Sequence, residues 1–256
     1  MNSSSPDLRH PALSSHRPLS EASTKHVPLK VGLLGGSFNP IHNGHLTIAR
    51  HVHESMQLSQ VLFIPTGDPP HKRDGSLAPA NVRLEMVRLA IADNPLFTVS
   101  DIEIRRTGKS YSIDTIRALH HHYGPSTELF FIIGLDAFLD FPTWREPKEL
   151  LRICHVVVVP RPGQSFQALA GMSLLPTLHS NELTGLDTGA LNRLDIANTS
   201  DPGVTCLAFP PCATSASEIR WRVRNKLPLV NMLPPLVQSY ILRHSLYQEE
   251  SNHTRI

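Results

Sequence analysis

Gly35–His45, read GGSFNPIHNGH, follows the apolar run Val31–Leu34 and precedes GHLTIARHVHESMQ, where Leu46, Ala49, Val52 and Met56 recur at helical spacing. A strand, a glycine-rich turn and a helix are expected in that order. Glycines after a strand let the backbone approach an anion, and the helix that follows presents free N–H groups and the positive end of its dipole. The spacing fits neither G-x-G-x-x-G nor G-x-x-x-x-G-K-[ST], so the dinucleotide fingerprint and the Walker loop are both rejected. His42 and His45 would lie side by side at the first helical turn, each able to donate an N–H to one anionic centre. Surface or capping histidines, or half of a metal pair, are the alternatives left open by the residues themselves; the Glu of H-E-x-x-H is absent.

Working outward, the same alternation continues. VLFIP (Val61–Pro65) reads as a strand, NVRLEMVRLAIAD (Asn81–Asp93) as a helix, FTVSDIEIRR (Phe97–Arg106) as a strand and SIDTIRALHHHY (Ser112–Tyr123) as a helix capped by Ser112. LFFIIGL (Leu129–Leu135) is a buried strand, REPKELL (Arg145–Leu151) a short helix, HVVVVP (His155–Pro160) another buried strand. VTCLAF (Val204–Phe209) closes the series before two helices, SASEIRWRVRN (Ser215–Asn225) and PPLVQSYILRHSLY (Pro234–Tyr247). Near-continuous apolar strands alternating with helices predict an α/β fold: a Rossmann-like, doubly wound parallel sheet with helices on both faces and a C-terminal helical segment. Ligands of such sheets bind beyond the carboxyl ends of the strands, where the quoted glycines fall.

The chain of 256 residues allows one large domain, and 40% hydrophobic, 18% charged residues and a formal charge of +2 exclude a disordered or nucleic-acid-coating chain. Residues 1–28 are rich in Ser, Pro and His with no hydrophobic period and are expected to form a disordered arm. A single domain is expected over 29–248, with 164–203 an insertion-like region of no readable pattern, 215–247 the C-terminal helices and 249–256 a flexible tail. No run is long enough to span a bilayer and no signal pattern opens the chain, so a cytoplasmic protein without membrane or nucleic-acid partners is expected. Cys154, Cys206 and Cys212 form no C-x-x-C pair and read as buried or idle thiols. The triple His120–His122 beside Gly124 reads as a helix end.

The stretch GGSFNPIHNGH resembles the G-x-F-[DN]-P-x-H-x-G-H signature of the nucleotidylyltransferase superfamily. Further stretches are similar to the bacterial nicotinate-mononucleotide adenylyltransferases: PPHK (Pro69–Lys72), DIEIRRTGKSYSIDTI (Asp101–Ile116), FIIGLDAFLDFPTWREPKELL (Phe131–Leu151), VVVVPRPG (Val156–Gly163) and TSASEIR (Thr214–Arg220), which matches I-S-x-T-x-x-R with Thr214 for Ile and Ser217 for Thr. Together they run from about Val31 to Tyr247.

The resemblance implies adenylyl transfer from ATP to nicotinate mononucleotide, giving deamido-NAD and pyrophosphate, with Mg²⁺ bound through the ATP phosphates and no protein metal ligands. Nicotinamide mononucleotide as acceptor, or a non-catalytic nucleotide sensor of the same fold, are the competing readings. It places His42, His45 and Arg220 in the catalytic role. ATP would meet Gly35, Gly36, Ser37, Phe38, His42, His45, Gly134, Asp136, Arg161, Ser215, Ser217 and Arg220. The mononucleotide would meet Asn39, Lys72, Ser110, Tyr111 and Thr115, with Trp144 stacking on its pyridine ring. Asp136 as a simple helix cap, Trp144 as core and Lys72 as a solvated loop residue are the plainer alternatives.

Overall fold

The computed structural model describes residues 28–68, 77–196 and 202–248. In chain order the elements are β1 (Lys30–Gly36), α1 (Asn43–Met56), β2 (Gln60–Pro65), α2 (Ala80–Ile91), β3 (Phe97–Val99), α3 (Ser112–Tyr123), β4 (Glu128–Gly134) and α4 (Leu135–Leu139). There follow α5 (Pro147–Ile153), β5 (His155–Val159), α6 (Ser180–Thr188), β6 (Arg193–Ile196), β7 (Val204–Leu207), α7 (Ala216–Arg224) and α8 (Pro235–Arg243). Seven strands form one sheet in the order β3-β2-β1-β4-β5-β7-β6. All neighbours are parallel except β6, which runs antiparallel to β7 along the edge.

Because side chains alternate along a strand, each strand feeds two cores. On one face Leu34, Phe63, Ile132 and Val157 pack against Val52 of α1, Val87 of α2, Ile219 of α7 and Val237 of α8. On the other, Leu33, Ile64, Phe131 and Val158 pack against Ile116 of α3, Phe138 of α4, Leu150 of α5 and Leu183 of α6. Burial on both faces is what gives the central strands their unbroken apolar runs. The winding reverses direction between β1 and β4, and this switch point opens a crevice at their carboxyl ends.

Three expectations are corrected. The strand expected over Phe97–Arg106 ends at Val99: the Ser100 N–H bonds to Phe63 O (2.9 Å), and the next rung of the ladder needs an N–H that Pro65 lacks. Residues 101–106 instead turn back, with the Arg105 N–H donating to Asp101 O. Ser112 is the first residue of α3 and caps nothing; Tyr111 holds the N-cap position. Region 164–203 is not patternless, since α6 and the short antiparallel β6 lie within it and complete the second core. As read, His120–His122 close α3, and Gly124, at φ +82°, donates its N–H to His120 O (3.0 Å). The expected arm (residues 1–27 of it), the tail 249–256 and Lys72 lie outside the described residues. Among the described residues no helix is long and apolar enough to cross a membrane.

Candidate active site

The crevice at the switch point is a cleft of about 670 Å³. Gly35, Gly36, Ser37, His45, Gly134, Asp136, Arg161, Ser110, Tyr111, Thr115 and Trp144, all singled out in the sequence, line it. Phe38, Asn39, His42, Ser215, Ser217 and Arg220 do not line it: Phe38 and His42 pack on His45, and Arg220 reaches Asn39 and Ser217.

Between β1 and α1 the chain makes a turn with Phe38 at φ 44° and a cis Asn39–Pro40 peptide. Phe38 is buried, with its ring 5.0 Å edge-on from the His45 imidazole and 5.9 Å from Phe63, so it is a floor beneath the histidine rather than a wall of the cleft. The turn is gripped from below by Arg83, a fully buried arginine of α2. Its guanidinium donates to Ser37 O (2.7 Å), Thr66 O (2.7 Å), Ala78 O (2.9 Å) and, more weakly, Gly67 O (3.4 Å). One side chain thus satisfies carbonyls of two loops and ties the mouth of β1 to both ends of the connection from β2 to α2.

The His42 and His45 rings pack with centroids 3.8 Å apart, tilted by 34°. The His45 Nδ1 accepts the His42 backbone N–H (3.2 Å), which closes one of the free donors at the start of α1. A nitrogen that accepts carries no proton, so the proton of a neutral His45 sits on Nε2. His42 occupies the N-cap position with its imidazole turned back toward the His45 N–H, the other half of the capping box, although its Nδ1 closes no hydrogen bond of full geometry there. Burial first, then the Arg161 charge, holds the His42 imidazole down to about 4. His45 is also held well below the ordinary imidazole range, by burial, then His42, then Arg161. Both rings are therefore neutral near pH 7, and the positive charge at this end belongs to Arg161 and Arg220.

Across the cleft, Arg161 Nε pairs with Asp136 Oδ1 at 3.1 Å directly over Gly134. A Cβ on Gly134 would fall 2.5 Å from that carboxylate oxygen and 2.9 Å from the guanidinium nitrogen, so a side chain here would displace the pair. Asp136 lies in the first turn of α4, with Gly134 at the N-cap, and so is not a simple cap. At α7, Ser215 is the N-cap, its Oγ accepting the Glu218 N–H at 3.1 Å. Arg220 donates to Asn39 O (2.8 Å) and to Ser217 Oγ (3.3 Å), joining this helix to the turn before α1.

The far end of the cleft is aromatic. Trp144 packs at 5.3 Å on Phe141 and 6.2 Å on Phe131 while keeping an edge in the cleft. The Arg145 guanidinium lies 5.0 Å over the Tyr111 ring. Thr115 is turned inward: its hydroxyl donates to Glu103 Oε1 (2.8 Å) and accepts from Arg106 (2.9 Å). Burial raises the Glu103 carboxyl, against the opposing pull of Thr115 and Arg106.

Sequence reasoning missed Glu103, Arg83, Arg145 and Tyr247. The Tyr247 hydroxyl donates to Asn39 Oδ1 (2.9 Å) beside the Ala78 N–H (3.0 Å). Glu103 was hidden by the strand expectation, and only a charged residue in an otherwise apolar helical face signals Arg83. Nothing local signals a bond between residues 208 apart.

Residues 33–222 match the family described as cytidylyltransferase-like. The probable nicotinate-nucleotide adenylyltransferase of Geotalea uraniireducens is 42% identical over 86% of this chain and 99% of its own length. That of Geobacter metallireducens is 44% identical over 87% of this chain and 100% of its own. Among solved structures, the Plasmodium falciparum nicotinic acid mononucleotide adenylyltransferase complexed with NaAD superposes with a TM-score of 0.62, covering 86% of this chain and 97% of that one; at 16% identity this speaks for the fold. By its family match and its full-length relatives, the chain belongs to the nicotinate-nucleotide adenylyltransferase family of nucleotidyltransferases.

Proposed function

We propose that the protein transfers AMP from ATP to the phosphate of nicotinate mononucleotide, releasing pyrophosphate and forming deamido-NAD for NAD biosynthesis. The observation that carries the reading is a single cleft with a tautomer-fixed His45, a guanidinium and two loop glycines at one end and an aromatic face at the other. In the reaction an acceptor phosphate oxygen attacks the α-phosphorus of ATP, a new P–O bond forms, and the bond to the β-phosphate oxygen breaks. A phosphate monoester with a second pKa of about 6 is already largely ionised near pH 7, so no general base is needed. The buried carboxylate of the cleft, Glu103, is occupied by the Thr115 hydroxyl, which in turn accepts from Arg106, and this suits that requirement.

His45 Nε2–H would donate to the α-phosphate as charge develops there, and the buried His42 would hold it in place. Arg220 with Ser215 and Ser217 would neutralise the departing pyrophosphate, and Arg161 the same end of ATP. Gly35 and Gly36 would let the triphosphate approach the backbone, and a Cβ at Gly35 would meet nothing within 4 Å. Gly134 and Asp136 would meet the adenosine. Trp144 would stack on the pyridine ring, with Ser110 and Tyr111 around it, Thr115 and Asn39 shaping that end and Lys72 meeting the mononucleotide phosphate. The donors at the triphosphate end are guanidinium, imidazole and hydroxyl groups rather than carboxylates, a set that fits Mg²⁺ held by the phosphate oxygens themselves. When bound there it supplies further charge neutralisation. Arg145, which lies over Tyr111 in long, exposed pairs with Asp114 (3.5 Å) and Glu146 (3.8 Å), would favour the acid over the amide by exchanging one of those partners for the substrate carboxylate.

The test is to supply ATP and Mg²⁺ with each mononucleotide separately and follow pyrophosphate. Nicotinate mononucleotide should give a kcat/KM about tenfold or more above that of the amide, the scale of one polar discrimination. A preference for the amide overturns the acceptor assignment, and silence with both leaves a nucleotide sensor.

A further inference from the structure

The three cysteines differ in kind. Cys154 and Cys206 are 1% and 0% exposed within the second core, and burial pushes both thiols up to about 12. Cys212 is only partly covered, on the loop that leads from β7 to Ser215 and Arg220. Its sulfur faces the His42 imidazole across the bare α-carbon of Gly44. A Cβ built on Gly44 would sit 3.2 Å from Cys212 Sγ and 2.9 Å from His42 Nδ1. His42 is 4% exposed, and its Nδ1 has no hydrogen-bond partner among the described residues. This nitrogen therefore borders the same space as the thiol and has no hydrogen bond of full geometry to give up.

We propose that Cys212 is an oxidation site at the active centre, where a hydroperoxide converts the thiol to a sulfenic acid whose O–H is received by His42 Nδ1. The sulfur attacks the nearer peroxide oxygen, an S–O bond forms and the O–O bond breaks. The thiol proton passes to the departing oxygen, which leaves as water or an alcohol; the sulfur loses two electrons and the peroxide gains them. The added oxygen enters the space that Gly44 leaves vacant. It fastens the β7–α7 loop to the ring beneath His45, which holds Arg220 and the histidines in one arrangement and obstructs the triphosphate. Neither buried cysteine is exposed to condense with the product, so reversal requires a small external thiol.

The test treats the full chain with hydrogen peroxide in the presence of dimedone, maps the adduct by mass spectrometry, and in parallel follows turnover without dimedone. The expected result is labelling at Cys212, slowed by ATP, with activity falling about tenfold or more as oxidation proceeds and returning with dithiothreitol. Cys212→Ser should keep its turnover and resist peroxide. The proposal is overturned if Cys212 is not labelled, if Cys212→Ser is inactivated at the same rate, or if the fully oxidised protein turns over normally. Only the activity arm rests on the function proposed above. Labelling and its slowing by ATP are read by mass, so a chain without adenylyl transfer would fail one arm and leave the other intact.

Discussion

The two loops that meet at the triphosphate end of the cleft are held in different ways. In the first, residues 35–45, the side chains of Phe38, Asn39, Ile41 and His42 are all buried, and one buried arginine satisfies the carbonyls beneath them. In the second, residues 208–217, Pro210, Pro211, Ala213, Ser215 and Ser217 are exposed. Its hold comes from its ends: the Ala208 N–H to Asn192 O (2.8 Å), the Ser215 cap, and Arg220 reaching to Asn39. By the roles proposed above, the stiff loop meets the phosphorus that reacts and the looser one meets the group that leaves. Preorganised donors matter most where charge develops, because they then need no rearrangement at the moment of reaction.

The comparison breaks most severely at Arg83. Arg83→Met keeps the apolar stem but leaves the carbonyls of Ser37, Thr66 and Ala78 without their donor. A loss of about 3–5 kcal/mol in urea unfolding is expected, with turnover falling too as the turn before His42 loosens. An unchanged midpoint would mean that the first loop owes its order to something else. Next is His45→Ala, which should lower kcat by about 10²- to 10³-fold, the scale of one lost donor to developing charge. Ser217→Ala, on the looser loop, should lower it by about tenfold at most. If the two variants are equally impaired, the difference between the loops has no catalytic meaning.

The first loop is also the one the sequence announces. Its glycines, Asn39–Pro40 and paired histidines all lie within eleven residues, so the local chemistry that shapes the turn is contiguous and readable. The fold was legible for a related reason: strands buried on both faces carry unbroken apolar runs, as in Phe130–Ile133 and Val156–Val159. What stayed hidden depends on distance or on edges. β6 has four residues, pairs on one side only, and reads as Arg-Leu-Asp-Ile without a continuous run. Glu103 entered the site because a proline on the neighbouring strand ends the β3 ladder, a fact of pairing rather than of local pattern. The grip of Arg83 on two loops needs the tertiary structure before it has any meaning.

Acid should weaken the first loop selectively. His42 titrates near 6.5 unfolded and about 4 folded, so below pH 6.5 the unfolded chain binds the extra proton. The stability that the neutral ring brings is whole above about 6.5 and is lost as pH falls toward 4, up to about 3 kcal/mol for a shift of this size, with His45 acting in the same direction. Thermal melts from pH 7.5 to 4 should show the decline, and His42→Gln should flatten it. A variant that declines as steeply as the parent would place the acid sensitivity elsewhere.

The smallest effect, and the sharpest for the comparison, is at Tyr247. Four residues past the end of α8, its phenol donates to Asn39 Oδ1, and burial raises the hydroxyl so that it stays protonated throughout the neutral range. Tyr247→Phe keeps the ring and removes one neutral hydrogen bond, about 1 kcal/mol, while Asn39 retains the Ala78 N–H and its carbonyl bond from Arg220. If Tyr247 serves only to strap the chain end, melting should fall slightly with both substrate constants unchanged. If it positions Asn39 for the mononucleotide, as we expect, KM for that substrate should rise about fivefold while KM for ATP stays put, because the ATP side of the turn is held independently by Arg83 and Arg220. Equal rises in both constants would show that the first loop moves as one body, and that its stiffness is shared between the two substrate sites rather than divided between them.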